Sequence, residues 1–230
     1  MTDRVLACCL GLAMLFFPGA AAAQGMGGTW VDADVEPCMP VGSKQVCVEV
    51  MRQDIEGSPL FAFRGEAEVD IPLGVMVAVL LTDEIGTEWV DLMNLSEEVR
   101  REGPHAKVIR QGYDLPWPVQ DRDYALLEEA HFDSANRVFT LNFKSVVDAD
   151  VPVDSTYIRA EAITTFWRLS AIPGSDKVKV EVEVFTDPRG TLPPWLVNLI
   201  QRTWPRNTIV GLYRRAAKGD IAAHEETVGW

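Results

Sequence analysis

Lys177-Val178-Lys179-Val180-Glu181-Val182-Glu183-Val184-Phe185-Thr186-Asp187 alternates four valines with charged residues, and its surroundings decide the fold class. Successive side chains of a strand point to opposite faces, so this segment reads as a strand with one buried and one wet face, as in an antiparallel sheet. Toward the amino terminus, period-two stretches recur at about residues 105–114, 122–132, 137–147 and 157–172. Asp133-Ser134-Ala135-Asn136 and Pro173-Gly174-Ser175-Asp176 supply the turns between them. Toward the carboxyl terminus, Pro193-Pro194 opens a helical pattern that reaches about residue 218, with a bend at Pro205.

The first third of the chain is mixed. Val46, Val48 and Val50 alternate with Cys47, Glu49 and Met51, which predicts a strand over 45–54, and a second follows Gly57-Ser58-Pro59. Asp70 and Pro72 suit the cap and first turn of a helix running to residue 81. A further helix is expected over about 88–101, ending at Gly103-Pro104. Strands, helices, many strands and a long helix, with no repeat or linker, make one α+β domain over 45–218. A lead-in (24–44) and a tail (219–230) flank it.

Composition narrows the function classes. With 230 residues, 47% hydrophobic and 24% charged, the chain has the make-up of a globular protein and not of a disordered or collagen-like one. A net charge of −13 argues against nucleic acid as a partner, since no basic patch strong enough to overcome it is visible. Residues 1–23 read as an export signal: Arg4, then an apolar run to Phe17, Pro18-Gly19, and Ala21-x-Ala23 as the cleavage site. The competing reading is a retained anchor. Export would leave Cys38 and Cys47 in an oxidising compartment, where they can close a small hairpin as a disulfide. Their spacing and the lack of a nearby His disfavour a metal or redox pair, and no metal or cofactor is expected.

Leu115-Pro116-Trp117-Pro118-Val119-Gln120-Asp121-Arg122-Asp123-Tyr124 resembles the START (steroidogenic acute regulatory protein-related lipid transfer) family. So do Phe63-Arg64-Gly65 with Ile71-Pro72-Leu73, Trp167-Arg168-Leu169, and the stretch from Thr186-Asp187-Pro188-Arg189-Gly190 through Pro193-Pro194-Trp195-Leu196-Val197-Asn198. The four lie in register over about residues 46–218. The resemblance implies a helix-grip fold, a curved antiparallel sheet around the carboxyl-terminal helix, with a cavity for one lipid such as a sterol or phospholipid. It implies binding and transfer without catalytic residues. The export signal and the Cys38/Cys47 pair depart from the family's usual setting.

Exposing a chain of ~16 carbons to water costs on the order of 13 kcal/mol, at about 0.8 per methylene, so a carrier needs a continuous apolar lining. Phe139, Leu141 and Phe143 share one strand face and Val180 and Val182 another. With Tyr124 and Leu126, and with Leu199, Ile200 and Thr203 of the last helix, they form the expected ligand-contacting set. The alternative is that they are filled core. Family members that bind sterol carry an acid and a base on neighbouring strands facing the cavity, and the corresponding positions are Arg110 and Glu128. Arg110 shares a face with Val108 and Gly112, Glu128 with Leu126 and Ala130, and the two are expected opposite one another. Arg122 is expected to tie the loop to its strand.

From Thr191 to Gly219 there are five cations and no acid. A basic amphipathic helix with Trp195, Arg202, Trp204 and Arg206 reads as a face that touches membranes transiently. The acidic loop 148–154 is expected to pair with it as a lid. The expected function is a monomeric, exported lipid carrier, with a polyketide-cyclase-like enzyme or a non-lipid adaptor as alternatives.

Overall fold

The computed structural model describes residues 25–230, and the expected export signal over 1–23, with Cys8 and Cys9, lies outside them. Among the described residues no helix is long and apolar enough to cross a membrane. The elements in chain order are β1 (Val31–Asp32), β2 (Cys38–Val41), β3 (Lys44–Cys47), β4 (Glu49–Asp54), β5 (Phe61–Val69), α1 (Leu73–Leu81) and a 3-10 turn (Asp83–Glu88). Next come β6 (Met93–Arg101), β7 (Ala106–Tyr113), β8 (Arg122–Asp133), β9 (Val138–Ser145), β10 (Ile158–Arg159), β11 (Glu161–Ala171) and β12 (Val178–Asp187). Helices α2 (Pro194–Arg202) and α3 (Trp204–Ala216) close the domain. The large sheet runs β1-β4-β5-β12-β11-β9-β8-β7-β6, with β10 beside β8, and β2–β3 form a separate hairpin. Every pair is antiparallel except β10–β8. The expected α+β helix-grip architecture is what forms.

Register defines the inner face. Ala130, Leu141, Trp167, Val182 and Gly65 form one cross-strand row, and Lys107, Glu128, Phe143, Thr165, Val184 and Phe63 form the next. Ile209, Leu212 and Ala216 of α3, with Met76, Val77 and Leu80 of α1, fill the space over the first row. The long helix is broken at Thr203, because Pro205 lacks the N–H a continuous helix needs and instead occupies the first turn of α3.

Four local expectations change. The segment 88–101 is not helical but contains β6. Register shifts at Met93/Leu95 and Glu98/Arg100 insert extra residues, so Leu95 and Val99 fall four apart and mimic a helical stripe. The strand over 45–54 is divided at Val48, whose N–H bonds Pro37 O, leaving β3 and β4 in different sheets. Asp70 does not cap α1, whose amino-terminal flank is Pro72 without a side-chain cap. Asp70 instead accepts from Lys44 Nζ (2.5 Å) and Tyr213 Oη (3.0 Å). The wet face of β12 is covered, Glu183 being 1% exposed and accepting from the Met26 N–H. The lead-in and the tail are therefore packed parts of the domain, and Thr227 of the tail lies against Gly74 of α1.

Cys38 and Cys47 are register partners in the β2–β3 hairpin and form the expected disulfide. A loop this short is expected to contribute about 2–3 kcal/mol, mainly by restricting the unfolded chain. Urea unfolding of the double variant Cys38→Ser/Cys47→Ser should show a loss of that size, and equal stability would contradict it.

Candidate functional site

Where α3 and α1 stop filling the concave face, a cavity opens over the second row and beyond. About 130 Å³ of it admits a water-sized sphere, and the space reaches about 1210 Å³ only when the open mouth is counted. Phe143, Leu126, Val184 and Trp167 line the sheet side, Leu80, Trp89 and Met93 one flank, and Val197, Ile200 and Trp204 the roof. Polar side chains also line it: Gln111, Tyr113, Tyr124, Arg122, Thr186 and Gln201, then Asp83 with Glu128, and Thr82, Ser96, Thr165 and Thr208.

Glu128 faces the cavity as expected, but Arg110 is not its partner. The β7–β8 register sets Glu128 opposite Lys107 and Arg110 opposite Ala125. A turn centred between Trp117 and Pro118 requires that pairing, and the odd offset of three positions from 107 to 110 puts Arg110 on the outer face. There Arg110 bonds Asp123 (3.0 Å) and Asp154 (3.3 Å) and lies over the Tyr157 ring. Lys107 Nζ sits 2.5 Å from Asp83 Oδ2, 3.3 Å from Glu128 Oε1 and 3.1 Å from Leu81 O.

The trio carries two carboxyls for one ammonium in a site with little water. Burial pushes the Glu128 carboxyl up to about 8, with Lys107 opposing the shift and Asp83 adding to it. Burial also raises Asp83 against the pull of Lys107. For Lys107 burial disfavours the charge, yet Glu128 and Asp83 hold its pKa above the ordinary lysine range. The shorter contact to Asp83 makes that pair the ionised one, and the extra proton near neutrality resides on Glu128. A protonated carboxyl is a hydrogen-bond donor as well as an acceptor.

Of the expected ligand-contacting set, Tyr124, Leu126, Phe143, Glu128 and Ile200 line the cavity. Phe139, Leu141, Val180 and Val182 are fully buried core beneath the helices and do not. Leu199 points to solvent on α2, and Thr203 occupies the break between α2 and α3, away from the lining. Of the docking set, Trp195 is 67% exposed, whereas Trp204 turns inward to the cavity. Arg206 is bound to Glu36 O and to Asn207, and Arg202 is half-buried. The acidic loop does not meet the last helix. Asp148 and Asp150 bind Arg100 and Asp154 binds Arg110, so the loop straps the outer face of β6–β8. Arg122 ties loops together as expected, donating to Pro188 O, Gln120 O and Arg189 O.

Lys107, Asp83, Trp89 and Thr208 were missed. Lys107 was legible, as a lysine alternating inward with Ile109, Gln111 and Tyr113. Trp89 was hidden by the helix expected around it, and nothing in the sequence singles out Thr208.

Comparison with known structures settles the architecture. Human STARD10 superposes with a TM-score of 0.68 at 21% identity, covering 82% of this chain and 73% of that one. The STAR-related lipid transfer protein of Xanthomonas axonopodis (fragment 25–204) gives 0.66 at 23%, covering 82% and 98%. The fold is that of a START domain. No family profile matches this START-like chain. Its sequence is similar to "Uncharacterized protein PA1579" of Pseudomonas aeruginosa, 24% identical over 199 residues, 86% of this chain and 95% of that protein.

Because the folded Glu128 keeps its proton to about pH 8 while the unfolded one loses it near 4.5, stability should fall as pH rises between those values. The loss should reach a few kcal/mol. Urea titrations at pH 5 and pH 8 should show that fall in the wild type. In Glu128→Gln the slope should flatten and the protein should be the more stable of the two at pH 8. Parallel slopes would contradict the assignment.

Proposed function

We propose that this chain binds one hydrophobic lipid in the cavity and carries it between membranes or to a partner, as an exported monomer without a cofactor. The observation that carries this reading is the partly open, mainly apolar cavity between the sheet and α2–α3, with Glu128 and Asp83 in its wall. The names of the two START structures, one of them a lipid transfer protein, support the ligand class. Glu128, Lys107 and Asp83 would receive a polar group of the ligand, since a buried ion set is costly to keep dry and its value lies in recognition. Trp195 and Leu199 on the outer side of α2, 67% and 53% exposed, would meet the membrane. A Cys38–Cys47 disulfide fits an oxidising compartment, consistent with residues 1–23 acting as an export signal.

A second reading has one observation in its favour. A carboxyl held near 8 inside a cavity is what a general acid or base needs, so Glu128 could support turnover of a bound substrate. Native mass spectrometry of the exported protein, with lipid extraction of the same sample, separates the two. A stoichiometric lipid that returns chemically unchanged after incubation is the expected result. A substrate altered by the wild type and not by Glu128→Gln would favour the enzyme, and empty protein that takes nothing from liposomes would overturn the carrier reading and leave the enzyme or an adaptor.

A further inference from the structure

Glu128 faces two spaces. Besides the main cavity, Glu128 and Thr82 line a second pocket, which lies between the end of α1, the β6–β7 turn, β8 and the carboxyl-terminal tail. His105 and Lys107 reach it from the β6–β7 side, Ala130 and Phe132 from β8, and His224 and Glu226 from the tail. The buried trio is the partition. Asp83 lines the cavity and not the pocket, Lys107 the pocket and not the cavity, and Glu128 both.

The second pocket holds water. About 190 Å³ of it admits a water-sized sphere, and one water needs roughly 10–15 Å³ by that measure. Phe132 gives it one apolar wall, with the His224 ring stacked at 5.2 Å and the His105 ring tilted at 5.4 Å. At the rim His105 Nδ1 lies 3.4 Å from Glu226 Oε1, and these side chains are 43% and 39% exposed. The tail is pinned to α1 by the His224 N–H on Gly74 O at 2.9 Å. Glu128 thus stands at the floor of a hydrated space that a ligand in the main cavity does not occupy.

Three charges bear on Glu128: Lys107 from β7, Asp83 from the 3-10 turn and Glu98 from β6. Arg101, His105, His224 and Glu226 stand around the pocket. With Glu128 protonated, the Lys107 ammonium is matched by the Asp83 carboxylate at 2.5 Å. Loss of the proton leaves two carboxylates on one ammonium, in a wall that a bound ligand shields from water. An ionised oxygen left uncompensated there has to be hydrated, so water enters the cavity and competes with the ligand.

We infer that the second pocket is a hydrated antechamber that keeps Glu128 in proton exchange with solvent while a ligand fills the cavity, and that loss of this proton expels the ligand. The device is a base-triggered release. It rests on the lipid-binding reading and names a regulation of the same site.

The trigger is tested with diphenylhexatriene, a probe without titratable groups that fluoresces in apolar surroundings. Its affinity for full-length mature protein is measured from pH 5 to pH 9, with circular dichroism following the fold. Because the protonated form binds better, wild-type affinity should fall as pH rises, about five- to ten-fold by pH 9 for one proton released near 8. Glu128→Gln should bind equally at every pH. Asp83→Asn should move the fall to lower pH, since Glu128 then becomes the carboxylate that Lys107 holds. A flat wild-type profile, or the same fall in Glu128→Gln, overturns the trigger. The route is tested with a water-soluble carbodiimide, which adds to protonated carboxyls, followed by peptide mass mapping. Glu128 should be labelled equally in empty and probe-loaded protein, and several-fold less in Ala130→Leu, which fills the pocket and leaves the cavity lining untouched. Labelling that the probe blocks and Ala130→Leu does not change overturns the antechamber. Wild type that takes up no probe overturns the lipid-binding reading and the trigger with it, and labelling of empty wild type against Ala130→Leu still decides the antechamber.

Discussion

The seat of α3 on the sheet sets everything else in this molecule. At Gly65 of β5 an added Cβ would stand 2.9 Å from Pro205 Cβ and 3.1 Å from Ile209 Cδ1, so the helix descends to the strand backbone. At Gly211 the far side of the same helix meets the Trp89 backbone. Clamped between these two points, α3 fills the row that contains Leu141, Trp167 and Val182. It cannot also fill the neighbouring row, and Pro205 prevents α2 from continuing on the same axis. The cavity is what remains: α2 roofs space that a straight helix would leave open or occupy. Its apolar lining is the ordinary inner face of a sheet, left without a covering layer.

Into that face the chain puts three ionisable groups. Lys107 and Glu128 are cross-strand partners on β7 and β8, and Asp83 reaches them from the turn after α1. Ion pairs of this kind seldom raise stability over an apolar trio of similar volume. Their effect is spatial. One end of a mainly apolar cavity gains a donor and an acceptor whose balance depends on a shared proton. A one-residue slip between β7 and β8 would turn one of the two outward, so the polar end also depends on register.

The strands from β7 onward and the broken carboxyl-terminal helix were legible because each has a clean period and clear punctuation. β6 was not, since bulges at an edge strand replace period two with spacings of four that look helical. Which face is inward was also legible for β8, β9 and β12, where it held for Glu128, Phe143 and Val182, but not for β7, where Arg110 was expected inward. Periodicity stops at the face. It does not say which rows along that face a helix covers, and that difference separates core residues such as Leu141 from cavity residues such as Phe143. The error over Arg110 was different in kind. The turn at Trp117-Pro118 already determined the register, and counting outward from it reaches Lys107.

Charge on the last helices shows the same limit from another side. Five cations without an acid in the segment suggested an electrostatic docking face. The fold disposes of most of them internally: Arg215 binds Glu88 and Asp220, Lys218 binds Glu88, and Arg206 binds Glu36 O and Asn207. Local sequence charge thus overstates the field at the helix surface, because the compensating acids come from distant segments. What α2 presents outward is Trp195 and Leu199, on the helix whose Val197 and Ile200 roof the cavity. For a protein of net charge −13, approach to an anionic bilayer is opposed at long range and screened beyond about 8–10 Å at physiological salt. The docking proposed for α2 is therefore driven by apolar burial at contact. On that proposal the same short helix would couple contact with the bilayer to the roof over the cavity.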